Sequence, residues 1–118
     1  MSYDKNNIFA KILRGEVPCK KVFENDYVLA FHDINPQKKI HVLIIPKGEY
    51  VDFDDFNNKA SDKEVVEFSK AITHVANLMG SKDKGYRTLT NIGNDGGQEV
   101  PHLHFHVFAG EKIGKMVN

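Results

Sequence analysis

The chain has 118 residues, 41% hydrophobic and 27% charged, which fits one compact domain spanning residues 1–118 and excludes a disordered polymer. Its 16 Lys and Arg balance 16 Asp and Glu without forming a basic stripe, so nucleic acid is not an expected partner. The longest apolar run, Tyr27 to Phe31, is too short to cross a bilayer, MSYDKNNIFAKILRG lacks the apolar stretch of a signal peptide, and the single Cys19 leaves no internal disulfide; a cytoplasmic protein without membrane contact is expected.

In chain order, Asn6 and Asn7 can cap a short helix whose apolar positions Ile8, Phe9, Ile12 and Leu13 recur at helical spacing and which Gly15 is placed to end. After Pro18, KKVFE and YVLAFHD read as two strands joined at the Asn25-Asp26 turn. IHVLIIP, rich in branched residues and stopped by Pro46, is a third strand, and the acidic, Asn-rich stretch from Asp52 to Asn58 reads as a connector. Ser61 with Glu64 three residues on is a capping box, and Val65, Phe68, Ile72, Val75, Ala76 and Met79 trace one apolar face, which predicts a long helix over about residues 62–79. His74 falls off that stripe and is expected at the surface. GYRTLTNIG predicts a fourth strand, NDGGQ a glycine loop and HLHFHVF a fifth strand. Five strands in mainly antiparallel-compatible order around one long and one short helix give an α+β domain with a single sheet.

Three of the six histidines lie at alternate positions of HLHFHV. In a strand His102, His104 and His106 share one face, and Leu103, Phe105 and Val107 take the other, against the long helix. The outer two have alpha carbons roughly 13 Å apart, so three imidazoles do not readily close on one metal ion. A pair could, with His41 as a third ligand, but there is no cysteine pair or HExxH pattern, and no metal or other cofactor is expected. The chemistry that suits the arrangement is a middle imidazole acting as nucleophile while its neighbours fix its tautomer and bind the electrophile's oxygens. Upstream, Gly96 and Gly97 free the backbone to approach an anion and Gln98 adds a neutral donor, which together make a plausible phosphate site.

GGQEVPHLHFH resembles the signature of the histidine triad (HIT) superfamily, and IFAKILRGEVPCKKVFENDYVLAFHDINPQ, IHVLIIPK and KGYRTLTNIGNDGG are similar to the corresponding segments of its HINT branch, the histidine triad nucleotide-binding proteins. The resemblance implies a HIT-like fold and a purine nucleoside phosphoramidate hydrolase that releases AMP and an amine through a nucleotidyl-histidine. It implies that His104 attacks the α-phosphorus, that His106 binds a phosphate oxygen, and that His102 and His41 form the network orienting the nucleophile. It further places Asp33 on the ribose hydroxyls, Ile8, Phe9, Ile12, Phe31 and Ile34 around the base, and Asn91, Gly97 and Gln98 near the phosphate. Members of the branch are homodimers whose sheets join through the strand matching GYRTLTN and the long helix.

Three departures bear on specificity. Glu99 stands where animal members carry a serine that assists the leaving amine, so that role is not carried over to it. Pro101 replaces the usual aromatic residue before His102, and the short tail GEKIGKMVN lacks tryptophan, which leaves the preferred amine open and favours a bacterial member. Two other functions compete with phosphoramidate hydrolysis: cleavage of dinucleoside polyphosphates, as in the Fhit-like branch, and a nucleotide-binding dimer that mainly holds a protein partner.

Overall fold

The computed structural model describes residues 3–116. In chain order the elements are α1 (Ile8–Leu13), β1 (Lys21–Glu24), β2 (Val28–His32), β3 (Ile40–Pro46), α2 (Phe53–Lys59), α3 (Asp62–Leu78), β4 (Arg87–Leu89) and β5 (Phe105–Ala109). The five strands form one sheet in the order β1-β2-β3-β5-β4, with every neighbouring pair antiparallel. This is the α+β architecture expected. Among the described residues, no helix is long and apolar enough to cross a membrane.

Local chemistry sets the element ends. The Asn7 side chain accepts from Ala10 N–H to cap α1, and Gly15, at φ 78°, takes the left-handed conformation that ends it. Asn25 Oδ1 accepts from the backbone of Tyr27 and Val28 and closes the β1-β2 turn. The Ser61–Glu64 capping box is reciprocal and opens α3 as the sequence predicts.

The sheet separates two apolar layers. On one face Val28, Ala30, Val42, Ile44, Leu103 and Val107 pack against Phe68, Ala71, Val75 and Ala76 of α3. Each buried Phe or Val side chain there contributes about 1.5–3 kcal/mol, so this layer is the main source of stability. On the other face Leu29, Phe31, Leu43 and Ile45 pack against Phe9 of α1. His74 is exposed, as expected, with its ring edge-on to Phe23.

Two readings of the sequence are corrected. The stretch read as a connector contains α2, which Asp52 caps by accepting from Asp55 N–H and which a Lys59–Asp55 ion pair closes. Its Phe56 is 1% exposed and packs on Phe68 and Tyr50, so burial holds a helix that its Asp- and Asn-rich composition does not advertise. The fifth strand also begins late, at Phe105. His102 to His104 are tied instead by Leu103 N–H to the Tyr50 carbonyl and by Thr90 Oγ1 to the His104 carbonyl.

Candidate active site

Cross-strand register assembles the site on the α1 face. His41 pairs with Phe108 and Leu43 with His106, so these side chains point to the same side of the sheet. His104, two residues before His106, continues that face and meets Phe9 of α1 edge-on at 4.9 Å between ring centroids. Leu103 and Val107 point the other way, into the α3 layer, and anchor the histidine segment from behind.

Backbone groups decide which nitrogen of each imidazole carries the proton. His104 Nδ1 lies 2.8 Å from the His102 carbonyl, which can only accept. His104 therefore donates from Nδ1 and keeps the lone pair on Nε2. His102 Nε2 lies 2.9 Å from the Pro46 carbonyl, so His102 donates there and its Nδ1 accepts from the Tyr3 hydroxyl. Gln37 N–H donates to His41 Nδ1 at 3.0 Å, which leaves the His41 proton on Nε2. That Nε2–H donates to His106 Nδ1 at 2.9 Å, and His106 keeps an N–H at Nε2 as a free donor.

All four rings are neutral near pH 7, chiefly through burial. Burial, opposed by the Pro46 hydrogen bond, pushes His102 down to about 4. Burial and the neighbouring His104 and His41 push His106 down to about 4 as well. His104 is lowered by burial, against the opposing pull of the His102 carbonyl and of the Asp33 and Glu99 charges. His41 is lowered by burial although Asp33 Oδ2 sits 3.4 Å from its Nε2, so that contact is a polar proximity rather than an ion pair.

The structure sorts the residues singled out from sequence. It brings Asp33, His41, His104 and His106 together, with the other Asp33 oxygen accepting from Asn35 N–H. It gathers Phe9, Phe31 and Ile12 into one apolar cluster, while Ile8 is 42% exposed at the outer side of α1. Ile34 lies outside that cluster and is 101% exposed, on the turn closed by the Asp33–Asn35 contact. His102 acts on His104 through its main chain. Its ring supports nothing on His104, and the contact that aligns His104 is its main-chain carbonyl. His41 likewise orients His106, not His104.

In the glycine loop the Gln98 amide is fully committed, donating to the Val51 and Val100 carbonyls and accepting from Gly93 N–H, so it has no hydrogen left for a phosphate. Asn91 Nδ2 donates to the Gly96 carbonyl. Both side chains therefore shape the loop. Gly96 is required because a Cβ there would sit 2.2 Å from the Ile92 carbonyl oxygen, and Gly97 adopts φ 77°. Glu99 is exposed, near enough for its charge to act on His104.

Tyr3, Gln37, Pro46 and Phe108 belong to the site but were not found from sequence. Only Phe108 carries a signal, since it continues the alternation of residues 102, 104 and 106. The Tyr3 contact spans 99 residues, and Gln37 and Pro46 act through the backbone.

Asp33, His41 and His106 offer one oxygen and two nitrogens within 4.8 Å of one another, a set that a divalent cation could bridge. Hydrogen-bond polarity opposes it. A ligating histidine ordinarily donates its second nitrogen to an acceptor, whereas His41 Nδ1 faces the Gln37 N–H. His41 and His106 are built as a hydrogen-bonded pair with the Asp33 carboxylate beside them.

The HIT domain family matches residues 14–113. The chain is 56% identical to an uncharacterized 13.2 kDa HIT-like protein of Azospirillum brasilense, over 98% of this chain and 95% of the relative. Its fold superposes on a HIT family hydrolase from Clostridium thermocellum with a TM-score of 0.88, at 36% identity, covering 98% of this chain and 99% of the other. A HIT family hydrolase from Legionella pneumophila gives a TM-score of 0.84 at 34% identity, over 96% of this chain and 100% of that one. With three alternating histidines on the α1 face of a five-stranded antiparallel sheet, this chain belongs to the HIT family.

Proposed function

We propose that the protein is a hydrolase of purine nucleoside 5'-phosphoramidates that works through a nucleotidyl-histidine on His104. One observation carries the proposal: the 2.8 Å bond from His104 Nδ1 to the His102 carbonyl, which leaves Nε2 deprotonated as the nucleophile. Two structural relatives named as HIT family hydrolases support the reaction class.

The steps follow from the tautomers. Nε2 of His104 attacks the α-phosphorus, a P–N bond to His104 forms, and the P–N bond to the amine breaks as the amine takes up a proton from solvent. The ring becomes cationic at that moment, so its bond to the His102 carbonyl strengthens in the transition state more than in the ground state. His106 Nε2–H donates to a phosphate oxygen, and the His41 bond at its other nitrogen keeps it from turning its lone pair toward that anion. Water then attacks phosphorus and gives a proton to solvent, the bond to His104 breaks with its electron pair returning to Nε2, and AMP is released. Asp33 accepts from the ribose hydroxyls, and the cluster of Phe9, Phe31 and Ile12 supports the base.

The same reading makes the active form a homodimer joined through β4 and α3. β4 lies at the sheet edge, and Val66 and Leu78 of α3 are 48% and 53% exposed. Near them Phe53, Val65, Ile72 and Phe105 line an apolar hollow of about 240 Å³ that a symmetric partner could fill.

The test is turnover of an adenosine 5'-phosphoramidate, with rapid quench and mass spectrometry to locate the adduct. AMP should be found on His104, and His104→Ala should lose at least about a thousandfold in kcat while still binding AMP. Full activity in that variant would sink the mechanism.

A further inference from the structure

We propose that Phe108 is a positioning residue of this site, whose ring clamps His106 and His41 so that the His41 Nε2–H stays aimed at His106 Nδ1. The effect on turnover rests on the phosphoramidase reading; the clamp itself does not. Three geometric facts converge on this residue. Its ring lies nearly parallel to that of His106, at 4° and 5.5 Å between centroids. It is 4.3 Å from the His41 ring, its cross-strand partner. The ring of His104 closes the other side of His106 at 5.1 Å, so His106 stands between two aromatic walls.

The clamp matters because a partial rotation of His106 about its Cβ–Cγ bond swings Nδ1 off the line from His41 Nε2. A half-turn returns the ring to the same plane, so the hydrogen bond to His41 selects between the two flipped rings, while the parallel Phe108 ring resists rotation out of that plane. An aliphatic side chain of similar size resists it only in part. Leucine at 108 keeps β5 apolar and frees the His106 ring. Tyrosine keeps the clamp.

The experiment compares the imidazole ¹⁵N spectra and steady-state kinetics of the wild type, Phe108→Leu and Phe108→Tyr. The wild type and the tyrosine variant should show His106 with an unprotonated Nδ1 and a protonated Nε2. In Phe108→Leu the two His106 nitrogens should move toward averaged shifts, and kcat should fall by about two- to tenfold, the range that aromatic stacking contributes. KM for the nucleotide should stay within about twofold, because the ring acts through His106 and leaves the proposed ribose and base contacts in place. Wild-type ¹⁵N shifts for His106 in the leucine variant, or failure of tyrosine to restore them, would overturn the proposal. Should the leucine variant not fold, Phe108→Met carries the same measurements under the same criteria. A wild type that turns over no phosphoramidate would remove the assigned function, while the spectra would still decide whether Phe108 sets the tautomer.

Discussion

Acidification between pH 6.5 and 5 should destabilise the protein through its buried histidines, with little contribution from its carboxylates. His102 and His106 are held at about 4 in the folded state, against 6.5 when unfolded. Between those values the unfolded chain binds more protons than the native one, so stability falls as pH falls. For a fully counted group, a drop from pH 6.5 to 5 costs about 1.6 kcal/mol. His102, which is 0% exposed, counts in full. His106 borders solvent and is counted at about half because of screening. The two together predict a loss of about 2–3 kcal/mol, a sizeable part of a typical domain's 5–15 kcal/mol. His104 and His41, also depressed, act with the same sign. Unfolded carboxylates, with pKa values of about 4, take up few protons above pH 5 and leave this window mainly to the histidines. Urea unfolding at half-unit pH steps measures the slope, and His102→Gln should reduce it by the share of one proton. A flat stability between pH 6.5 and 5 would refute the assignment of these rings as buried and neutral.

Gly96→Ala should destabilise the fold by about 1–3 kcal/mol, because its Cβ would meet the Ile92 backbone at 2.2 Å and only a shift of the loop relieves the clash. The same variant should raise KM for the nucleotide, which urea unfolding and initial-rate kinetics measure together. Prolonged dialysis against EDTA should leave phosphoramidate turnover unchanged, since His41 Nδ1 faces an N–H and its Nε2 lone pair is not available to a metal. A loss of activity that zinc restores would show that His41 adopts the opposite tautomer.

Much of the architecture was legible because periodicity reports burial directly. The α3 stripe from Val65 to Met79 and the Ser61–Glu64 box located that helix to within a residue. The alternation in HLHFHV separated site residues from core residues although the hydrogen-bonded ladder begins only at Phe105. α2 was missed because its signals are capping and a pair of phenylalanines, in a composition that otherwise suggests a loop. Ile34 carries no periodic signal of its own, and its exposed place on the Asp33–Asn35 turn is set by the fold.

Residue types and spacing determined which groups could do the chemistry: four histidines, an aspartate and a glycine loop within one small antiparallel sheet. They could not determine the direction of any proton. That depends on the carbonyls of His102 and Pro46, the N–H of Gln37 and the hydroxyl of Tyr3, none of which differs in sequence from any other group of its kind. Only the tertiary structure brings them to the rings. An imidazole has two nearly equivalent nitrogens, and its tautomer is set by whichever donor or acceptor the fold places beside each.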